Sequence, residues 1–272
     1  MTVEDMTSIL VQAGIDTGRL DVLAIFAHVL DVDKSLVIAD ITKPTPRQAQ
    51  KIQKLVDERA KRAPLAYLLH HKEFYGREYY VDKHVLIPRP ESEAMIELAL
   101  KLQLPDSYPV ADIGCGSGVL GITYALEANP DSNSRHWLTL CDISPEALIV
   151  AKLNARRHKI RAQYAVSNLL ESKYAASRCD GLVFANLPYV PDNLITSAEI
   201  TKEPAIALFS GRDGLDHYRR FWEQITELDQ KPKYIIIECL EKQFSELDAL
   251  AAKAGFALVS TLGLARCFCR HS

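Results

Sequence analysis

The stretch Ala111-Asp-Ile-Gly-Cys-Gly-Ser-Gly118 limits what this chain can fold into more than any other. An apolar run from Tyr108 to Ile113 has the length and character of a strand buried on both faces, and it stops at alternating glycines. Val119 to Ala128 then reads as a helix. Strand, glycine turn and helix in that order open a βα unit, where glycines let backbone approach a ligand beside the unpaired N–H groups of the helix start. A dinucleotide fingerprint needs its third glycine three residues after the second, and Val119 occupies that place.

The alternation continues. Strands are expected at Trp137 to Cys141, Gln163 to Val166, Leu182 to Ala185 and Tyr234 to Ile237, with helices at Pro145 to Arg157 and Leu215 to Leu228. Such repetition implies an α/β fold with a mostly parallel sheet covered on both faces. Ala257 to Leu262 and Ala265 to Cys269 are strands as well. Only Gly263-Leu264 separates them, too short for a parallel crossover, so they must pair as an antiparallel hairpin.

The chain before Pro64 is different. Val3 to Val11 and Leu20 to Leu30 read as helices, the second apolar around most of its circumference. Thr45-Pro46 caps a third, running through Lys61 with Ile52, Leu55 and Val56 inward. His28 has nothing nearby to pair with. Glu73 to Asp82 and His84 to Pro88 read as the two strands of an antiparallel ribbon. Arg89, flanked by two prolines, is presented from a stiff loop that leads into the helix Ala94 to Leu102, either as part of an elbow or beside an active site. The expected organisation is a small all-α bundle at 1–70 for substrate or partner recognition, a ribbon and proline-rich linker at 71–93, and the α/β domain at 94–272.

With 272 residues and 48% hydrophobic content, the chain can bury cores for two domains. A net charge of −3 argues against a broad nucleic-acid surface. No apolar run approaches the roughly 20 residues that cross a bilayer. Met1-Thr-Val-Glu-Asp-Met is acidic where a signal peptide would be basic, so a cytoplasmic protein, without a membrane partner and monomeric, is expected. The six cysteines are scattered, and even Cys267 and Cys269, two apart on one strand, lack further ligands at metal-binding spacing, so no metal is expected.

Asp180-Gly-Leu-Val-Phe-Ala-Asn-Leu-Pro-Tyr-Val-Pro191 is where chemistry is expected. The buried run delivers Asn186 to the carboxyl end of its strand, the edge of an open α/β sheet where ligands bind. Pro188 cannot donate a backbone hydrogen bond and biases Leu187 toward an extended shape, leaving carbonyls free. An amide oxygen, a free carbonyl at Leu187 or Pro188, and the Tyr189 ring suit a planar NH2, whose two N–H bonds need acceptors and whose π face needs an apolar wall. Read alone, the four residues are equally a strand-ending turn.

The glycine loop, with Asp112 two residues before its first glycine, resembles that of class I S-adenosylmethionine-dependent methyltransferases. The resemblance implies a Rossmann-like fold with a seven-stranded sheet. In it Gly114, Cys115, Gly116, Ser117 and Gly118 hold the cofactor's methionine end, Asp142 and Ile143 its ribose, and Asn168 and Leu169 its adenine. Asp142 ends the second strand, where a carboxylate can accept two hydrogen bonds from a diol, and Ser144 caps the next helix. Over nearly its whole length the chain is similar to the HemK/PrmC family, protein-(glutamine-N5) methyltransferases of peptide chain release factors. The likeness is carried by Leu23 to Leu30, Arg62-Ala-Pro-Leu-Ala-Tyr67, Glu73-Phe-Tyr-Gly76, Val85-Leu-Ile-Pro-Arg-Pro-Glu-Ser-Glu93, Asp142-Ile-Ser-Pro145, Asn186 to Tyr189, Glu203-Pro204 and Gly211-Arg-Asp-Gly-Leu215.

That family implies transfer of a methyl group from S-adenosyl-L-methionine, leaving S-adenosyl-L-homocysteine, to the glutamine of a Gly-Gly-Gln loop. In the family the residues matching Asn186 to Tyr189 hold the glutamine and that matching Phe74 lies near the transferred methyl; Asn186, Pro188 and Tyr189 are accordingly expected as catalytic residues, Asn186 touching the cofactor too, and Phe74, Arg89 and Asn186 to Tyr189 as substrate contacts. Leu187 stands where the family has proline, Asn168 where it has aspartate, and His70 and Leu240 where it has glycine; Gly263 to Arg266 match loosely. Asn-Leu-Pro-Tyr as spelled here is similar to the motif of ribosomal RNA adenine dimethyltransferases. An adenine N6 amino-methyltransferase acting on RNA or DNA is therefore the alternative, and a non-catalytic cofactor-binding relative a third.

Overall fold

In the computed structural model, which describes residues 2–105, 108–128, 138–194 and 197–271, the chain divides into two units. One comprises Met1–His71 with Thr196–Lys202, the other Lys72–Ile195 with Glu203–Ser272. The ribbon, expected to be a joint of its own, is counted with the sheet, and a segment from late in the chain is counted with the bundle.

The first unit holds α1 (Val3–Gln12), α2 (Gly18–Leu30), α3 (Lys34–Ile38), α4 (Pro46–Ala60) and α5 (Leu65–Leu69). Capping boxes start α1 at Thr2 with Asp5 and α4 at Thr45 with Gln48, each satisfying two backbone donors. Val22 to Ala27 of α2 are all buried, as an all-round apolar helix requires. A buried Arg59–Asp21 pair at 2.7 Å ties α4 to α2, and Glu199 reaches the same arginine and Arg62 at 3.2 and 3.1 Å. His28 is exposed and not alone: its ring stacks on His71, centroids 6.3 Å apart.

The second unit opens with β1 (Lys72–Phe74) and β2 (Arg77–Tyr79), followed by α6 (Glu93–Lys101). The ribbon is thus shorter than expected, turning at Tyr75-Gly76, where both residues have positive φ, 51° and 69°. His84 to Pro88 do not form its second strand: the Ile87 N–H, which a ladder would need, donates instead to Glu203 Oε2 at 2.9 Å. The sheet comprises β3 (Val110–Ile113), β4 (Leu138–Asp142), β5 (Gln163–Val166), β6 (Leu182–Ala185), β7 (Tyr234–Glu238), β8 (Phe256–Leu262) and β9 (Ala265–Arg270). Between them lie α7 (Val119–Ala128), α8 (Pro145–Arg157), α9 (Lys173–Ala176), α10 (Asp216–Glu227) and α11 (Phe244–Lys253). Trp137, expected to begin a strand, lies outside the described residues.

The sheet order is β5-β4-β3-β6-β7-β9-β8, parallel through β7, with β9 antiparallel to β7 and β8 to β9 across Gly263-Leu264. Chain order runs outward in opposite directions from the β3–β6 pair, where Asp112 sits opposite Phe184. A sheet that reverses in this way opens a crevice at the carboxyl ends of the two central strands. Helix α11 is not foreseen in the sequence, because only Leu247 and Ala251 of it are buried, too narrow a stripe to stand out.

Candidate active site

A cavity opens at that reversal. It is lined by the loop after β3, by Asp142, Ile143 and Ser144 after β4, by Ser167, Asn168 and Leu169 after β5, and by Asn186, Leu187 and Pro188 after β6. Segments from elsewhere complete it: His84 to Leu86, Pro88, Arg89 and Ser92 before α6, Pro204 to Ala207 apart from Ala205, and His217 in α10. Glycine is required at two places on its floor. Gly116 has φ 53° and nothing within 4 Å of where a Cβ would stand, so a side chain there would be strained and would project into open space. Gly114, at φ 71°, lies against Leu187. Gly118 does not line the cavity, contrary to expectation: its missing Cβ would meet Ile122, Ala151 and Leu140, so it serves close packing at the start of α7.

Asp142 is fixed from two sides, accepting at Oδ2 from Gly116 N at 2.8 Å and at Oδ1 from Ser144 N at 2.9 Å. The Ile143 N–H is a third donor, and of the roughly four acceptor sites of a carboxylate about one remains for a ligand. Burial pushes its carboxyl up, against the pull of these N–H donors. Ser144 caps α8 through the Ala147 N–H at 3.1 Å, as expected. Deeper, Asp112 accepts from Gly121 N at 3.0 Å, and burial pushes its carboxyl up to about 7, the donor opposing and the Asp142 charge adding. Leu169 is buried with φ 56°, its carbonyl bound by the Ser167 hydroxyl at 2.7 Å. The glycine loop is also clamped from behind: buried Asn154 donates to Ser117 O at 2.9 Å and exchanges bonds with Tyr80 N and O at 2.7 and 3.0 Å.

At the end of β6, Asn186 donates through Nδ2 to Ser92 Oγ at 3.0 Å, and among the described residues no donor reaches its Oδ1. The carbonyls of Leu187 and Pro188 are likewise without a donor among the described residues, whereas that of Tyr189 takes Gln243 Nε2 at 2.9 Å. Three acceptors without a donor among the described residues thus belong to three consecutive residues that line the cavity. Neither Tyr189 nor Phe74, expected as the aromatic wall, is among the described residues that line the cavity. Tyr189 is turned away and donates its hydroxyl to Glu238 Oε1 at 2.7 Å. Phe74, the inward residue of its short strand, is 1% exposed and packs edge-on to Tyr79 at 6.4 Å. The cavity wall is aliphatic instead, from Leu169, Leu187, Pro204 and Ile206.

Arg89 does line the cavity, so the stiff loop places it at the site rather than only at an elbow. Glu203, whose side chain is 2% exposed, holds it at 2.5 Å while also binding Ile87 N. His217 and Ser210 pair at 2.7 Å on the α10 side. Ser92 and Glu203 lie in motifs that carry the family likeness but were given no role there, and His217 and Glu238 were passed over. For Glu238 a signal existed: it ends an apolar parallel strand, as Asp142 does. Among the described residues no group of His, Cys, Asp or Glu is arranged to hold a metal ion, and no helix is long and apolar enough to cross a membrane.

Comparison with known proteins decides the family. Residues 2–69 match the PrmC N-terminal domain and residues 93–203 the Methyltransferase small domain. The release factor glutamine methyltransferase of Dictyoglomus turgidum is 35% identical over 212 residues, 76% of this chain and 73% of that protein. That of Borreliella burgdorferi is 32% identical over 255 residues, 92% and 86% of the two. This chain belongs to the release factor glutamine methyltransferase family. Among solved structures, the catalytic domain of hMettl16 in complex with a 3′UTR hairpin aligns with a TM-score of 0.51 at 11% identity, covering 82% of this chain and 81% of that one, a likeness of fold alone.

Within that family three departures acquire a physical reading. Leu187, unlike proline, carries an N–H, and the buried Tyr218 hydroxyl accepts it at 3.4 Å while itself donating to Glu238 O at 2.6 Å. His70 caps α5 with φ 55°, the left-handed conformation in which glycine is less strained. Leu240 sits in extended backbone, φ −69° and ψ 146°, which needs no glycine.

Proposed function

We propose that this chain transfers a methyl group from S-adenosyl-L-methionine to the side-chain amide nitrogen (N5) of the glutamine in the Gly-Gly-Gln motif of peptide chain release factors. The observation that carries the reading is the Asn186 amide, tied through its nitrogen to Ser92 and with no donor to its oxygen among the described residues, at the cavity that Gly116 and Asp142 also line. The residues present fit the cofactor: an open cradle over Gly116, a buried carboxylate with acceptor capacity left at Asp142, and aliphatic walls for a flat ring at Leu169 and Leu187. When bound, it supplies an electrophilic methyl group on a positively charged sulfur.

The chain's own part is orientation. An amide nitrogen is a poor nucleophile, its lone pair shared with the carbonyl. Asn186 Oδ1 and the carbonyl of Leu187 or Pro188 accept its two N–H bonds, aim it, and favour the positive charge that grows on it as the new bond forms. Such positioning supplies on the order of 7 to 11 kcal/mol. The spare proton leaves to water afterwards, so no general base is assigned. Tyr189 acts from behind, holding the backbone turn that presents those carbonyls, and Phe74 acts only as packing beneath the ribbon. Arg89, held by Glu203, borders the entrance for the substrate loop, and the helical bundle serves partner recognition.

The test is incubation with radiolabelled cofactor and, in parallel, a release factor, ribosomal RNA, and neither. Label on the release factor supports the reading. Label on RNA replaces it with adenine amino-methylation, and cofactor binding without transfer to either replaces it with a binding module.

A further inference from the structure

Glu238 ends β7 and has no part in the mechanism above. It is 1% exposed, yet only Oε1 is engaged at full hydrogen-bond geometry, by the Tyr189 hydroxyl at 2.7 Å; Oε2 closes no bond. Burial pushes this carboxyl up, while Ser92, Tyr189 and Asn186 pull it down, and the bond between Ser92 and Asn186 runs from Asn186 Nδ2 to Ser92 Oγ at 3.0 Å. Ser92 is 3% exposed, so its hydroxyl has little water to turn to.

The two ends of an asparagine amide have nearly the same shape, so packing does not choose which one faces the cavity; the hydrogen-bond network must. A carboxylate accepts and never donates. Near Ser92, whose hydroxyl donates to no other group among the described residues, it is the acceptor toward which the single hydroxyl proton turns, which leaves the serine lone pairs for Asn186 Nδ2. We propose that Glu238 is a positioning residue which, through Ser92, holds the Asn186 amide with its nitrogen inward and its oxygen toward the cavity. With a group at 238 that can also donate, the serine is free to donate to Asn186. The amide can then turn over and present N–H groups to a substrate nitrogen that carries N–H groups itself.

This inference rests on the proposed acceptor role of Asn186, so its test reads the amide directly as well as through turnover. The full chain is labelled with 15N-asparagine, and the Asn186 side-chain NH2 pair is assigned by its absence from Asn186→Ala. In Glu238→Gln, hydrogen exchange of that pair is expected to be about tenfold faster than in wild type, as for a donor bond lost. Affinity for S-adenosyl-L-homocysteine should stay within about threefold, while kcat/KM for a release factor falls about 100-fold, the scale of one misdirected transition-state contact. Ser92→Ala removes the acceptor itself and sets the fast limit of exchange. Glu238→Asp, which keeps an acceptor-only group, serves if Glu238→Gln does not fold: exchange near the wild-type rate is expected, and exchange as fast as in Ser92→Ala overturns the proposal. Exchange unchanged from wild type in folded Glu238→Gln overturns it too. A wild-type chain that methylates no release factor refutes the proposed function, and the exchange comparison then still decides the role of Glu238.

Discussion

The Gly116 N–H donates to Asp142 Oδ2 at 2.8 Å, joining the loop after β3 to the end of β4. One carboxylate therefore shapes the glycine loop and stays open to a ligand. Replacing Asp142 with alanine should weaken S-adenosyl-L-homocysteine binding by about 2 to 4 kcal/mol, through lost charge-assisted bonds and a looser loop. Calorimetry gives the affinity, and an unchanged value would remove Asp142 from the ligand site.

Asp112 makes stability depend on pH in the less common direction for an acid. Its folded value, about 7, lies above the ordinary 3.8, so between the two the folded chain keeps a proton that the unfolded chain has lost. Stability contributed by this group is thus full below pH 4, falls as pH rises toward 7 by up to about 1.4 kcal/mol per unit, and is flat above. Asp112→Asn keeps an acceptor for Gly121 N and removes the titration. The difference in unfolding free energy between wild type and variant, from denaturant titrations at several pH values, should fall across that window. A flat difference would contradict it.

Asn154 is fully buried and bonds Tyr80 and Ser117 together. Asn154→Ala removes the partner of the Tyr80 N–H, the Tyr80 carbonyl and the Ser117 carbonyl, and should cost about 2 to 4 kcal/mol of stability. Because Ser117 belongs to the glycine loop, cofactor affinity should fall as well. Thermal unfolding with and without S-adenosyl-L-homocysteine measures both effects in one series.

Glu203→Ala frees the Arg89 guanidinium and orphans the Ile87 N–H. The expected loss is about 2 to 4 kcal/mol. In turnover measurements the substrate KM should rise while cofactor affinity holds, because both released groups belong to the segment before α6 rather than to the glycine loop. A KM like that of wild type would show that Arg89 needs no such anchor.

What could be read from the sequence was what is local to a strand end. The glycine loop, Asp142 and Asn186 each follow directly from an apolar run, and the structure gathers them because all parallel strands finish on one edge. The late hairpin was legible for a similar reason, a two-residue joint having one solution. Residues that arrive from remote positions were not legible. Ser92 reaches Asn186 across 94 positions and Glu203 reaches Arg89 across 114, and no spacing rule marks either pair. Side-chain direction was the other loss. Tyr189 and Phe74 lie near the site in sequence, but one is drawn to Glu238 and the other into the core beside Tyr79. The stretch from His84 to Pro88 looked extended, and its strand partner was in fact a carboxylate.

The central claim concerns one amide oxygen, so the decisive measurement follows one atom. A release factor is incubated with wild-type chain or Asn186→Ala and cofactor, and the Gly-Gly-Gln peptide is sequenced by fragmentation mass spectrometry. The account predicts one added methyl group on the glutamine side-chain nitrogen with wild type, and a rate at least about 100-fold lower with the variant, whose affinity for S-adenosyl-L-homocysteine stays within about threefold. Methylation at another residue, or an Asn186→Ala chain that transfers at near the wild-type rate, would contradict it.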